Sequence, residues 1–239
     1  MENRYHHIVI YGYPRSGSTM FYCMLRASVE GYKFYDWELK AKKAALQDPG
    51  INKITKNPGD HRDVRWLQKN VPGVGFILCI RDPRAVLVSK SADGLFKVNW
   101  NYCKHKRPGD PKLRQNEGFI ERHHDIMRDL PDDVFVCKYE ELVSSPEKVQ
   151  NQLGERFGLR YKDEFSNFHT HPIPSKLERR LNGIRQPNMG RVDSWRDFPE
   201  RIHWQFTECP ELFDIVRYWG YEENDDWFKE IEDKVCISQ

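Results

Sequence analysis

The sequence predicts an α/β fold of three layers: a mainly parallel sheet with helices on both faces. Three observations carry the prediction. Short β-like runs alternate with helical stretches through the first half, the pattern of parallel strands joined by crossover helices. The run Val74–Ile80 is apolar almost throughout, as a strand buried on both faces must be. A glycine- and serine-rich turn, Gly12-Tyr-Pro-Arg-Ser-Gly-Ser-Thr19, falls where the first strand should hand over to the first helix.

In chain order, residues 7–11 (His-Ile-Val-Ile-Tyr) read as a strand and residues 19–28 as a helix. Residues 32–35 suggest a short strand, 37–47 a helix, 53–56 a weak strand, and 64–70 a helix that stops before Pro72. After the strand at 74–80, residues 85–90 open another helix, 119–129 form a polar amphipathic helix, and 134–138 a strand. Ser145-Pro146-Glu147 has the serine cap and first-turn proline of a helix start. Residues 159–197 show little periodicity and read as a long loop with short helical pieces; 160–197 are expected to cover cofactor or substrate. Residues 198–219 return to helix. The aromatics Trp195, Trp204, Trp219 and Trp227 are expected in the core.

Bulk properties narrow the function classes. A chain of 239 residues suits one sizeable domain, here residues 1–239. With 38 basic against 36 acidic residues it lacks the basic excess of a nucleic-acid binder. No apolar run approaches the roughly 20 residues of a membrane span, and the N-terminus lacks the apolar stretch of a signal peptide. Six scattered cysteines without a CxxC pair are expected to be reduced thiols in a cytoplasmic protein.

The turn at 12–19 is the strongest functional signal. A helix N-terminus presents backbone N–H groups and a partial positive charge to an anion. Gly17 permits close backbone approach, Ser16, Ser18 and Thr19 bring hydroxyls, and Arg15 brings a permanent forked cation. The spacing of Gly12, Gly17 and Thr19 follows the nucleoside-triphosphate loop GxxxxGK[ST], but Ser18 stands where that loop has lysine, which counts against a kinase or ATPase. A second anion site is expected at Arg81-Asp82-Pro83, at the carboxyl end of the strongest strand, with Ser89 two helical turns further on.

Together these segments resemble the 3′-phosphoadenosine 5′-phosphosulfate (PAPS)-dependent sulfotransferase family. Pro14-Arg15-Ser16-Gly17-Ser18-Thr19 is similar to its P-[KR]-S-G-[ST]-T loop, and Arg81-Asp82-Pro83 with Ser89 to its R-[ND]-P-x-x-x-x-x-S segment. The arginine form of the loop resembles the tyrosylprotein and bacterial glycolipid enzymes more than the phenol enzymes. Lys138-Tyr139-Glu140-Glu141-Leu142 is similar to Y-E-[DE]-L, Thr55-Lys56-Asn57-Pro58 to the K-x-P segment, and Gly190-Arg191 through Trp195-Arg196 loosely to G-x-x-x-W-[KR].

The resemblance implies a P-loop NTPase-like sulfotransferase fold and PAPS as co-substrate, with no metal. It implies that residues 14–19 hold the 5′-phosphosulfate, Arg81 and Ser89 the 3′-phosphate, Tyr139 the adenine region, and Gly190 and Arg191 a covering segment. Arg15 and Lys56 are expected to stabilise charge on the leaving oxygen. A hydroxyl acceptor also needs a base. In arginine-loop relatives this is a carboxylate about twenty residues past the loop, which puts Asp36 and Glu38 ahead of His61 and leaves the choice between the carboxylates open. The acceptor class implied is a small molecule, sugar, lipid or peptide with a hydroxyl or amine. Two alternatives remain: a kinase-like phosphotransferase, and a non-catalytic nucleotide-binding module on the same fold.

Overall fold

The computed structural model describes residues 5–89, 118–181 and 183–237. These residues divide into two compact units, one from residues 5–80 and 128–189, the other from 81–89, 118–127 and 190–237. The sequence also has an Arg/Lys-rich stretch at 104–114 that suits an anionic acceptor or the cofactor equally; it lies outside the described residues.

The first unit holds a parallel sheet. Among the described residues it has four strands, β1 (His7–Gly12), β2 (Lys53–Lys56), β3 (Val74–Ile80) and β4 (Phe135–Lys138), in the order β2-β1-β3-β4. Every neighbouring pair is parallel. The chain leaves β1 toward β2 on one side and later builds β3 and β4 on the other. The topological switch point therefore lies between the carboxyl ends of β1 and β3, where open α/β sheets bind ligands. β1 is buried along its whole length, as a central parallel strand requires.

Side chains alternate across the sheet. Ile8, Ile10, Ile54, Ile77, Cys79 and Cys137 share one core cluster with helices α1 (Ser18–Ser28) and α7 (Pro146–Phe157), which contribute Phe21, Leu25, Leu153 and Phe157. The alternate residues Val9, Tyr11, Phe76 and Leu78 are buried as well, so both sheet faces are covered. Also in this unit are α2 (Ala41–Gln47), a 3-10 turn (Pro58–Asp63), α3 (Val64–Asn70), α6 (Tyr139–Ser144) and α8 (Ser175–Leu181).

The second unit contains α4 (Pro83–Leu87), most of α5 (Phe119–Arg128), α9 (Pro199–Glu208), α10 (Glu211–Tyr218) and α11 (Trp227–Ile237). Its core is aromatic: Trp195, Phe206, Phe213 and Trp227 meet edge-on or tilted. Trp195, Trp219 and Trp227 are buried as expected, while Trp204 is only partly so.

The structure corrects several expectations. Residues 32–35 form no strand, only a single bridge from Lys33 to Lys53. The helix expected from residue 37 begins at Ala41, leaving Trp37 to Lys40 irregular. Residues 198–219 are helical as expected, in two helices separated at Cys209-Pro210, where proline has no N–H to continue the ladder. The region 159–197 does carry the short helical pieces expected of it: two 3-10 turns and α8. Cys23, Cys79, Cys137 and Cys236 are free thiols, but Cys209 is disulfide-bonded, against the expectation that all six are reduced. No helix among the described residues is long and apolar enough to cross a membrane.

Candidate active site

The loop between β1 and α1 starts against β3. A Cβ on Gly12 would come within 2.1 Å of the Cys79 carbonyl oxygen, and the Tyr13 N–H donates to that same carbonyl at 3.2 Å. Only glycine allows two backbones to run this close. The loop then turns through two left-handed residues, Arg15 (φ 68°) and Gly17 (φ 78°). Among the described residues Arg15 is the only non-glycine with positive φ. Such strain in an arginine points to a functional constraint on its backbone.

Gly17 is the N-cap of α1. No side chain caps this helix, and no acidic residue occupies its first turn, so its N–H groups and dipole are directed at whatever lies in the loop. Pro14 and Arg15 form the bend. The Ser16 hydroxyl donates to the Tyr13 carbonyl at 2.7 Å, which commits its proton to holding the turn. Ser18 is buried at the helix start. The ring of Tyr139, the first residue of α6, lies directly on Gly17: a Cβ there would sit 2.5 Å from Tyr139 Cδ2.

Lys56, the last residue of β2, reaches this helix end. Its Nζ donates to Thr19 Oγ1 at 2.9 Å and to Glu38 Oε1 in a very short contact. Burial pushes the Lys56 ammonium below its usual pKa range, and the Glu38 carboxylate opposes that shift. The other Glu38 oxygen, Oε2, pairs with Arg180 Nη1 at 3.0 Å. One carboxylate thus bridges a buried lysine on the sheet and an arginine on α8.

The two candidate carboxylates differ in surroundings. The Glu38 side chain is 15% exposed and joined to Lys56. The Asp36 side chain is 60% exposed and pairs with Arg26 at 2.9 Å. His61 is buried in the 3-10 turn, its Nδ1 3.1 Å from the Pro58 carbonyl. Behind them, the buried Asp60 accepts a hydrogen bond from the Ala41 N–H at 3.0 Å, tying the turn after Lys56 to the start of α2.

In the second unit, Asp82 caps α4 with its own side chain, accepting from the Arg84 N–H at 2.8 Å. It also receives the Arg84 guanidinium at 2.7 to 3.1 Å. That guanidinium pairs with Glu222 at 2.6 Å and lies over Trp195 and Trp227 at 4.0 and 4.4 Å. Arg84 is therefore a structural hub. Arg81 is buried and donates to the Arg191 carbonyl at 2.6 Å, which joins the Gly190-Arg191 segment to the start of the Arg81–Ser89 stretch. Ser89 is also buried.

Sequence reasoning brought up most of these residues, but Arg180 only as an unnamed member of the Arg/Lys-rich stretch 176–196, which suits an anionic acceptor or the cofactor equally. The basic run Lys176, Arg179, Arg180 was its only signal, because which residue meets Glu38 depends on where α8 docks. No group of three or more potential metal ligands converges among the described residues.

Comparison with known proteins agrees with this geometry. No curated protein matches the chain. Among solved structures, mouse sulfotransferase SULT7A1 complexed with PAP is similar at 14% identity and a TM-score of 0.56, over 95% of this chain and 88% of that chain. Retinol dehydratase in complex with androsterone and inactive cofactor PAP is similar at 15% identity and a TM-score of 0.50, over 87% and 80%. At such identities the likeness is one of fold. A sequence profile of the Sulfotransferase family matches residues 29–163. With more than half of its length matched and an α/β fold to suit, the chain belongs to the sulfotransferase family.

Proposed function

We propose that the protein transfers a sulfuryl group from PAPS to a hydroxyl or amine of an acceptor. The observation that carries this reading is the junction at the start of α1, where the buried Lys56 meets Thr19 and Glu38 beside an uncapped helix N-terminus. The residues fit a phosphosulfate: bare N–H groups of α1, Thr19, Arg15 and Lys56 offer donors and positive charge. The donor nucleotide supplies the activated sulfuryl group, and the reaction leaves adenosine 3′,5′-bisphosphate (PAP).

In this reading the bond from the acceptor oxygen to sulfur forms as the bond from sulfur to the nucleotide oxygen breaks. Lys56 and Arg15 stabilise the charge gathering on that departing oxygen. The proton of the acceptor hydroxyl passes to Glu38, the carboxylate that touches Lys56; Asp36, turned to Arg26, has the weaker claim. Arg81 and Ser89 take the 3′-phosphate, Tyr139 the adenine region, and Gly190 and Arg191 the covering role. PAP in both similar structures supports this nucleotide. Ser18 in place of a loop lysine favours sulfuryl over phosphoryl transfer.

The test is a calorimetric titration in EDTA with PAP, AMP and ADP at one salt concentration. PAP should bind about ten-fold or more tightly than AMP, because a charge-assisted hydrogen bond typically contributes about 1.5–3 kcal/mol. Equal affinity for PAP and AMP, or a preference for ADP that needs Mg²⁺, would return the phosphotransferase reading to first place.

A further inference from the structure

The surroundings of Glu38 say something about the acceptor. Lys176 and Arg180 are four residues apart on α8 and so share one face. That face lies along the irregular segment bearing Trp37 and Glu38: Arg180 pairs with Glu38 Oε2 at 3.0 Å, and Lys176 Nζ sits 5.2 Å from the Trp37 ring centroid. Arg180 remains 57% exposed and Trp37 49% exposed.

Counting the charges, Lys56 and Arg180 both pair with the Glu38 carboxylate, and Lys176 stands by the neighbouring Trp37 ring. Asp36 is engaged with Arg26. Glu178 is two residues from both Lys176 and Arg180, so it faces away from them. A neutral acceptor approaching Glu38 meets an excess of positive charge, and a carboxylate already held by Arg180. An acceptor with its own anion near the hydroxyl can take Arg180 and Lys176 for itself and release Glu38 Oε2 for the proton. A half-exposed indole offers a flat apolar face, suited to the apolar face of a sugar ring.

We propose that Trp37, Lys176 and Arg180 form an acceptor subsite for an acidic saccharide. Its carboxylate or sulfate pairs with Arg180 and Lys176, and its ring lies against Trp37. The inference rests on the reading of Glu38 as the base, and it makes Arg180 a specificity-determining residue that also governs how freely Glu38 acts.

The experiment uses a matched pair of probes, p-nitrophenyl β-D-glucuronide and p-nitrophenyl β-D-glucoside, titrated into the PAP-loaded protein. The glucuronide should bind about five-fold or more tightly, the scale of a well-placed but partly solvated ion pair. Arg180→Gln and Lys176→Gln should each remove most of that preference, Arg180→Lys should keep part of it, and Trp37→Ala should weaken both glycosides. All three positions are on the surface, and unchanged melting temperatures would show that the variants fold. Equal binding of the two glycosides, or a preference that survives Arg180→Gln, overturns the proposal. So does tighter binding of an aspartate-flanked tyrosyl peptide than of the glucuronide, since that marks a peptide subsite. Because binding needs no turnover, the readings separate: a glucuronide preference together with sulfuryl transfer that survives Glu38→Gln upholds the subsite and removes Glu38 as the base.

Discussion

The helices α1 and α4 both begin beside a sequence motif for anion binding, yet their N-termini are finished in opposite ways. α1 starts at a left-handed glycine, with no capping side chain and no acid in its first turn. α4 starts with Asp82 and Pro83, and the Asp82 carboxylate satisfies the Arg84 N–H. A third helix, α2, is served from a distance by Asp60. An uncapped N-terminus keeps its donors for a ligand, while a capped one has exchanged them for stability. The backbone can therefore do the binding at α1, whereas at α4 side chains must do it.

Removing the cation that completes the α1 site should have the largest effect. Lys56→Ala is expected to lower kcat on the order of a hundred-fold or more while PAP affinity changes far less, because its contribution grows with charge in the transition state. Single-turnover kinetics beside calorimetry would check this; a rise in KM alone with kcat intact would remove Lys56 from the chemistry.

At α4 the expected loss is structural. Asp82→Ala uncaps the helix and takes one carboxylate from the buried Arg84, which should cost about 3 kcal/mol by urea unfolding. AMP affinity should hold. A large loss of AMP binding in a folded variant would mean that α4 contributes more than side chains.

Arg81→Ala should abolish most of the preference for PAP over AMP, about ten- to hundred-fold, with AMP binding nearly unchanged. Ser89→Ala should act in the same direction and more weakly. If Arg81→Ala weakens AMP as much as PAP, Arg81 does not serve the 3′-phosphate.

Gly17→Ala puts a Cβ at a φ of 78° and 2.5 Å from the Tyr139 ring. The backbone conformation alone costs roughly 1–2 kcal/mol. A lower melting temperature and weaker AMP binding should appear together; an unaffected AMP affinity would separate the loop from the 5′-phosphate.

A slope of stability with pH is expected at α2. Burial pushes the Asp60 carboxyl up to about 7, from 3.8 in the unfolded chain. Folding then takes up a proton between those values, so this contribution is complete below about pH 4 and is lost as pH rises through about 7, at no more than about 1.4 kcal/mol per pH unit. Asp60→Asn, which still offers an oxygen to Ala41, should flatten the stability profile between pH 4 and 7. A variant profile parallel to wild type would show that Asp60 does not titrate in this range.

Local patterns were enough for the sheet and the loop. The strand runs at 7–11 and 74–80, the Gly12–Thr19 turn and the proline-marked helix starts are legible because neighbouring residues decide them: apolar alternation, positive φ and missing N–H groups act within a few positions. The short strand at 32–35 and the helix start at 37 failed for the converse reason. Local propensity allowed them, but the segment is held by contacts with Asn52, Lys53 and Asp60.

The sequence by itself determined the family resemblance, the order of the elements and the two anion motifs. Only the tertiary structure distinguished Glu38 from Asp36, since both stand at suitable distance from the loop and both open an acidic turn. The difference is that Lys56 and Arg180 arrive at Glu38 from β2 and α8, while Arg26 of α1 takes Asp36. Charge partners brought together from distant parts of a chain leave no local pattern; packing alone decides which carboxylate meets which cation.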